Sequence, residues 1–258
     1  MSSYVAPSPW PVFYHRWRLY LNTWRGSVFS SFLLPVMFLL GLGVSVGSYV
    51  DDSALGMPYA QFIAPGVLAS TVLQVAISEA AWPVLAAFQW VRTYHAMRAA
   101  PLRPVDMVGG EILWIWLRAG TSAAGFLIVL ALFGMVRSPV VALLALPAAL
   151  LLAVASCTPV LAFAASIRMD NGFVLLFRFA VIPMTLFSGV FFPVDQLPLV
   201  GRWVAYGLPL WHGVELCRAA TLGTSTAIGW LGHAAYLAVW AVAGYLLAAH
   251  RYTRRLAD

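Results

Sequence analysis

Six long apolar runs dominate this chain of 258 residues and constrain its fold more than any other feature. They cover residues 27–48, 59–82, 107–133, 139–167, 172–192 and 227–249, and each is close to the ~20 residues that a helix needs to cross a bilayer. Only 9% of the residues are charged, against about 25% in a typical soluble domain. Because backbone polar groups in lipid must be satisfied within the segment, we predict an all-α polytopic membrane protein with six transmembrane helices. We find no repeat and treat residues 1–258 as one domain.

The segment before the first run has a different composition. Residues 9–25, PWPVFYHRWRLYLNTWR, mix aromatic side chains with three arginines. This mixture is typical of an amphipathic helix that lies in the membrane interface. We predict such an interfacial helix here, with a disordered tail as the alternative.

The basic residues predict an orientation. All fifteen are arginine, and they occur in short clusters between the apolar runs rather than on one surface, which argues against nucleic-acid binding. If six spans alternate, the two ends and the even-numbered connections hold ten arginines, and the odd-numbered connections hold three. The positive-inside rule then places both termini in the cytoplasm.

Four acidic residues or arginines lie within or at the ends of apolar runs: Glu79, Glu111, Arg118 and Arg178. A charge at membrane depth is costly and is therefore a candidate functional group. We expect the carboxylates and Arg118 to form ion pairs between helices rather than to carry protons. Arg178 is expected to extend its side chain towards the cytoplasmic interface.

The fifth run ends in LFSGVFFPVDQLP, residues 186–198. Ser188 and Gly189 allow the helix to bend or end, and Pro193 stops it from continuing. The next segment, 195–222, is too polar to span the membrane and too aromatic for a solvated loop. We predict an extracellular re-entrant hairpin that forms an outer gate; an interfacial aromatic belt of Trp203, Tyr206 and Trp211 is the alternative.

Four segments resemble the ATP-binding cassette type-2 permeases, which are the membrane subunits of exporters. They are YAQFIAPGVLAS, MRAAPLRPVDMVGGEIL, LFSGVFFPVDQLP and VAYGLPLWHGVELCRAA. The resemblance covers nearly the whole chain. It is greatest for the branch that contains nodulation-factor and daunorubicin-type drug exporter permeases. It implies a bacterial plasma-membrane protein that moves an amphiphilic drug, lipid, glycolipid or polysaccharide outward.

The resemblance also implies partners. A phosphate-binding loop of the G-x-x-x-x-G-K-[ST] type requires a lysine, and the chain contains none. ATP and Mg²⁺ would therefore be bound by a separate ATPase, present in two copies, and this chain would not itself be an enzyme or hold a cofactor. A second permease subunit, identical or different, would complete the complex.

Residues 84–103 form the cytoplasmic connection in which the resemblance implies an ATPase-coupling helix. The candidate contacts are Phe88, Trp90, Arg92, His95 and Arg98; lipid contact through the arginines is the alternative. The resemblance places the substrate path between the first, second and fifth spans of two subunits, with Phe187, Phe191 and Phe192 as candidate lining residues.

Two other functions remain open, an ion-driven carrier and a polytopic membrane enzyme. Catalysis would need a convergent nucleophile and base or a metal cluster. The five histidines are scattered without H-E-x-x-H spacing, and His212 with Glu215 offers only one local pair. The two cysteines, Cys157 and Cys217, belong to no C-x-x-C motif, and we expect them to pack in the core and to bind no metal.

Overall fold

The computed structural model describes residues 8–22, 24, 36–37, 40–41, 56–98, 102–226 and 228–257. Within these ranges the elements are helical and no strand occurs. In chain order they are α1 Trp10–Tyr20, α2 Tyr59–Gln89, α3 Thr93–Arg98, α4 Pro104–Leu132, α5 Pro139–Ala142, α6 Ala145–Ala164, α7 Asn171–Leu176, a π-helical turn Phe177–Val181, α8 Ile182–Phe187, a 3₁₀ turn Val194–Gln196, α9 Leu199–Tyr206, α10 Pro209–Leu222 and α11 Gly229–Ala257.

Four described segments are long and apolar enough to cross a membrane: Tyr59–Gln89, Pro104–Leu132, Pro139–Ala164 and Gly229–Ala257. They correspond to the predicted second, third, fourth and sixth spans. The predicted fifth span is a shorter apolar helix, Asn171–Phe187. Nearly all of the predicted first span, 27–48, lies outside the described residues, so the total of six stays a prediction.

Two helix ends extend beyond the predicted boundaries. The second span was expected to end at residue 82, but α2 continues through Pro83 to Gln89. The sixth was expected to end at residue 249, and α11 reaches Ala257. In α11 the polar residues after Ala249 continue the helix without a break, whereas residues 83–89 of α2 are apolar except for Gln89. Hydropathy therefore does not mark where either helix ends.

The core forms where helices approach closely over small residues. Helix α11 packs on α6 at Gly244, where an added Cβ would collide with the Thr158 hydroxyl oxygen. Helix α10 packs on α6 at Gly213, where an added Cβ would lie 2.5 Å from Leu152 Cδ2. Most of α10 is buried between α2, α6 and α11, so this connection forms part of the core.

The fifth apolar helix is interrupted. The π-helical turn Phe177–Val181 separates α7 from α8, and the helix ends at Phe187, five residues before the predicted limit of 192. Ser188 leaves the helical conformation, and Gly189 adopts φ +75°, which favours glycine. Backbone geometry at Ser188 and Gly189 therefore ends the helix, before the Phe-Phe-Pro sequence.

The predicted hairpin segment contains two unlike helices. Helix α9 exposes an apolar stripe of Leu199, Val200, Trp203 and Val204, whereas α10 is buried. A short break at Gly207 and Leu208 separates them. The segment is helical with a turn, as predicted; that it re-enters the membrane remains a prediction.

Candidate functional site

The connection between α2 and α4 presents a short surface helix. This helix is α3, and Arg92 directly precedes it. Arg92 is the one described non-glycine residue with positive φ, at 55°. The Arg92 carbonyl accepts hydrogen bonds from the backbone N–H groups of His95 and Ala96, at 3.1 Å each. This left-handed residue reverses the chain and starts α3.

The five predicted ATPase contacts differ in exposure. Trp90 is 61% exposed, and Arg92 and His95 are also exposed. Arg98 is the last residue of α3. Phe88 differs from the expectation, because it is only 1% exposed and its ring packs edge-on against Tyr94 and Tyr252 at 4.7 and 4.8 Å. Phe88 therefore supports α3 from beneath and is not available to fill a hollow in a partner.

Beneath α3 lies a buried ion pair. The Arg16 guanidinium of α1 donates to the Glu111 carboxylate of α4, with an Nη2 to Oε2 distance of 2.8 Å. The Tyr94 hydroxyl of α3 donates to Glu111 Oε1 at 2.6 Å. Glu111 thus joins the N-terminal helix, the surface helix and a membrane-spanning helix at one carboxylate.

A second pair lies beside the first. Arg118 of α4 donates through Nε to Glu79 Oε1 of α2 at 3.2 Å, and the Trp114 indole donates to Glu79 Oε2 at 3.0 Å. Arg118 also donates to the Tyr20 hydroxyl at 3.1 Å and lies over the Tyr20 ring. Arg16 Nη2 donates to the Glu79 backbone carbonyl at 3.5 Å and so links the two pairs. We call the seven side chains the charge network: Arg16, Tyr20, Glu79, Tyr94, Glu111, Trp114 and Arg118.

Arg16 and Tyr94 of the charge network lie outside the spanning helices, and their buried surroundings determine their protonation states. Burial opposes the charge on Arg16, but the adjacent Glu111 carboxylate outweighs it and raises the pKa of the guanidinium. Burial and the charge of Glu111 raise the pKa of the Tyr94 phenol well above its ordinary value, so Tyr94 remains a hydrogen-bond donor. Removing one partner of such a buried pair typically costs about 3–5 kcal/mol.

The C-terminal end of α11 also contacts this region. Arg255 donates to the carbonyls of Ala164 and Ile167 at the end of α6, and to Gln89 Oε1 at the end of α2, at 2.9, 2.5 and 3.1 Å. Its guanidinium lies 4.6 Å from the centre of the Phe88 ring. The ends of α2, α6 and α11 are therefore joined directly next to α3.

Sequence reasoning found Glu79, Glu111 and Arg118 but missed the partner of Glu111. Arg16 was assigned to the orientation signal, because positive-inside counting does not distinguish an arginine that faces lipid from one that faces a carboxylate. The available signal was spacing on α1. Val12 and Arg16 are four residues apart and share a face, and Val12 is the residue that α4 buries.

At the far end of the bundle, His212 and His233 form a buried contact between α10 and α11. Their Nδ1 atoms lie 2.9 Å apart, and His212 Nε2 lies 3.0 Å from the Tyr206 carbonyl oxygen. His212 Nε2 must therefore carry the proton donated to Tyr206, which makes His212 Nδ1 an acceptor for the N–H of His233. Tyr236 stacks on His212 at 3.8 Å and donates to the Gly207 carbonyl at 2.5 Å. This histidine pair fixes the turn between α9 and α10.

Glu215, considered above as a neighbour of His212, instead pairs with Arg218 at 2.8 Å. Arg218 Nη2 donates to the Gly189 carbonyl at 2.7 Å, and its guanidinium lies over the Phe62 ring. Arg218 thereby joins α10 to the end of the fifth apolar helix and to α2. No group of three metal-binding side chains occurs among the described residues.

The predicted outer-gate residues fall into two groups. Ser188 and Gly189 are buried, and Pro193 precedes the 3₁₀ turn. Trp203 is exposed, whereas Trp211 is buried with its ring 4.7 Å from Tyr206. An added Cβ at Gly189 would lie 3.7 Å from Trp211 Cδ1. Gly189, at the end of the fifth apolar helix, therefore lies next to Trp211 of α10.

The predicted path residues do not share one surface. Phe187 is exposed, and the Phe191 carbonyl accepts a hydrogen bond from the Tyr59 hydroxyl at 3.2 Å. Phe192 is half-buried, and Arg178 is exposed within the π-helical turn. These residues therefore do not line a common pathway within one chain.

Comparison with known proteins agrees with this architecture. The family model for the ABC-2 type transporter matches residues 12–222. Nodulation protein J of Rhizobium leguminosarum bv. viciae is 30% identical over 244 residues, which is 93% of each chain. Nodulation protein J of Sinorhizobium fredii (strain NBRC 101917 / NGR234) is 30% identical over 247 residues, covering 93% of this chain and 92% of the relative.

The counterpart from Rhizobium meliloti (strain 1021) is 28% identical over 244 residues, again 93% of this chain and 92% of the relative. The family match extends from α1 to the end of α10 and therefore includes every residue of the charge network. The chain belongs to the ABC-2 type transporter family.

Proposed function

We propose that this chain is the membrane-spanning subunit of an ATP-driven exporter that moves an amphiphilic molecule outward. ATP and Mg²⁺ bind a separate cytoplasmic ATPase, two copies of which serve two permease subunits. The family and the relatives named nodulation protein J support membrane export. We propose only the class of molecule that is moved, which is a drug, lipid, glycolipid or polysaccharide.

The arrangement of α3 carries the proposal. Trp90, Arg92 and His95 offer an exposed aromatic and basic surface, while Tyr94 on the same helix is buried against Glu111. A force applied to this surface would reach α1 and α4 through the charge network without passing through a flexible loop. A surface helix tied in this way is suited to transmit movement of an ATPase to membrane helices.

The outer gate is the second part of the proposal. In the predicted orientation, with both termini cytoplasmic, Ser188, Gly189 and the α9–α10 segment lie on the opposite side of the membrane. Arg218 links Gly189 to α10 at 2.7 Å, so movement of the fifth helix would move α10 with it. We propose that this joint opens outward when the ATPases close.

The test is purification of the tagged full chain from its own bacterial membrane in mild detergent. Proteins that come with it are identified by mass spectrometry, and vanadate-sensitive ATP hydrolysis is assayed. We expect a P-loop ATPase and hydrolysis activity. The doubly substituted chain Trp90→Ala/His95→Ala should lose the ATPase, whereas Trp203→Ala, an exposed tryptophan at the other end of the bundle, should retain it.

Other outcomes would change the proposed functional class or decide the composition of the permease dimer. A chain that purifies intact but alone and inactive in several mild detergents would favour an ion-driven carrier or a membrane enzyme. A second, different permease in the eluate would indicate a heterodimer, and a single permease species with the mass of two copies would indicate a homodimer.

A further inference from the structure

A cavity of about 510 Å³ lies between the interrupted fifth apolar helix, α6, α11 and the turn that joins α9 to α10. Its walls include Pro159, Met184, Phe187, Leu208 and Trp240. The volume is within the range of about 300–1,000 Å³ that is usual for small-molecule sites. Neither the charge network nor the α3 surface touches it.

The chemistry of the walls selects a hydrocarbon ligand. None of the lining residues is charged, and the one hydroxyl, on Ser156, already donates to the Leu152 carbonyl at 2.7 Å. Water needs two to four polar partners to occupy a cavity stably, and these walls supply too few. Among the lining residues the one other side-chain N–H or O–H is the Trp240 indole N–H, so a polar head group would find few partners inside.

The length of the cavity matches one membrane leaflet. Along the fifth helix the lining residues run from Leu176 to Phe187, a stretch of twelve residues that spans about 16 Å at the usual rise per residue. The hydrocarbon core of a bilayer is about 30 Å thick. The cavity is therefore about as long as half of the bilayer core, which is the length of one leaflet's acyl chains.

The neighbouring helix indicates which molecule fills it. Helix α9 exposes Leu199, Val200, Trp203 and Val204 on one stripe, as expected for a helix that lies in the lipid interface. Val204 belongs both to this stripe and to the cavity wall. A lipid that contacts the stripe on α9 would thus lie next to the cavity mouth.

We infer that this cavity binds one acyl chain of a phospholipid from the leaflet next to α9. The head group stays at the interface beside α9, and the chain lies between the π-helical turn and Trp240. The lipid fills the space left by the small residues Ala155, Pro159 and Ala180. Phe187 belongs both to this cavity and to the candidate path residues, but acyl-chain binding there requires only one chain and no ATPase.

The test uses the purified full chain in vesicles of phosphatidylethanolamine and phosphatidylglycerol that contain a phospholipid with a diazirine on its acyl chain. After irradiation, mass spectrometry locates the adducts. We expect several-fold more adducts at Met184 and Trp240 than at Leu246, which is 63% exposed on α11 but lines no part of the cavity. The vesicles contain no ATPase, so the adducts report lipid that enters the cavity without ATP-driven transport, and the result does not depend on the proposed transport function.

Filling the cavity provides the control. Ala180→Trp should reduce adducts at Met184 and Trp240 several-fold, and the smaller change Ala180→Leu should reduce them less. Ala243→Trp, at an exposed alanine of α11 outside the cavity, should leave them unchanged. Adducts at Leu246 report whether each variant is still correctly inserted. Equal labelling of cavity and surface in the wild type, or labelling that Ala180→Trp leaves intact in an inserted chain, would overturn the inference.

Discussion

Glu111 accepts hydrogen bonds from two helices that do not span the membrane, through Arg16 on α1 and Tyr94 on α3. Its position at 2% side-chain exposure means that neither charge of the Arg16–Glu111 pair can be satisfied well by water if the other is removed. A single residue of the membrane helix α4 therefore determines how two peripheral helices are held.

We predict that Arg16→Met and Glu111→Gln each destabilise the chain by about 3 kcal/mol, because each leaves one buried charge unpaired. The double variant should lose clearly less than the sum, because both charges are gone and the amide oxygen of the introduced glutamine can still accept from Tyr94. Chemical unfolding in detergent, followed by circular dichroism, measures the three values. Additive losses would show that the two side chains are not energetically coupled.

A substitution at Arg92 can separate the role of its side-chain charge from the role of its backbone conformation. Its φ of 55° favours glycine or asparagine, so Arg92→Asn should keep the stability of the chain while it removes the charge. If Arg92 pairs with the ATPase, Arg92→Asn should weaken co-purification at unchanged thermal stability. Unchanged co-purification would mean that Arg92 does not bind the ATPase, and that its role is limited to forming the turn and contacting lipid.

At the scale of the elements, α1 is held by a close approach as well as by charge. An added Cβ at Gly110 of α4 would lie 2.5 Å from Val12 Cβ and 2.6 Å from the Pro9 carbonyl oxygen, both of which belong to the α1 segment. The same helix carries Gly120, where the nearest atom is the flexible end of Leu150 at 3.3 Å. The two glycines form a matched pair.

Gly110→Ala should therefore displace α1 from α4, and Gly120→Ala should not. Displacement frees Arg16 from Glu111, so trypsin should cleave after Arg16 faster in Gly110→Ala than in the wild type. Cleavage rates are read from mass spectra of the purified chain. Equal rates in both variants would mean that α1 is held by something other than this contact.

The α10–α11 contact should depend on pH. The two Nδ1 atoms of the histidine pair can share only one proton, so protonation of both rings breaks their hydrogen bond. The stability contributed by the contact is complete above about pH 6.5, the ordinary pKa of histidine in the unfolded chain, and decreases as the pH falls below it, because the unfolded chain then binds protons that the buried pair does not. The thermal midpoint should fall with acidification in the wild type and change less in His233→Gln, whose amide can donate to His212 but does not titrate. Parallel curves for the two proteins would contradict this origin.

For the whole molecule, hydropathy and turn residues were sufficient to predict an all-helical membrane protein and four of its spanning helices. The local pattern also marked Ser188 and Gly189 as a place where the fifth apolar helix could bend or end, but the predicted limit was residue 192 and the helix ends at Phe187. Long-range partners were not predictable, because the spacing of Glu111 says nothing about which arginine approaches it. Burial of α10 was likewise missed, since His212, Glu215 and Arg218 give it a polar sequence, and each has a partner inside the bundle.

Phe88 illustrates the same limit at the proposed ATPase contact. An aromatic residue in a basic connection resembles a surface anchor, but the extension of α2 to Gln89 turns the Phe88 ring inward against Tyr94 and Tyr252. Exposure of Trp90 follows from the same change of direction. The sequence pattern identifies the connection, and the helix end decides which side chains face a partner.

Binding of an ATPase at the exposed surface of α3 is the step on which the proposed function depends. The most direct measurement places a photoreactive phenylalanine analogue at Trp90 and, as the control, at Trp203, and irradiates intact membranes of the native host. We predict a cross-link from position 90 to a P-loop ATPase and none from position 203. A chain that cross-links to no ATPase from position 90, or that does so from position 203, would contradict it.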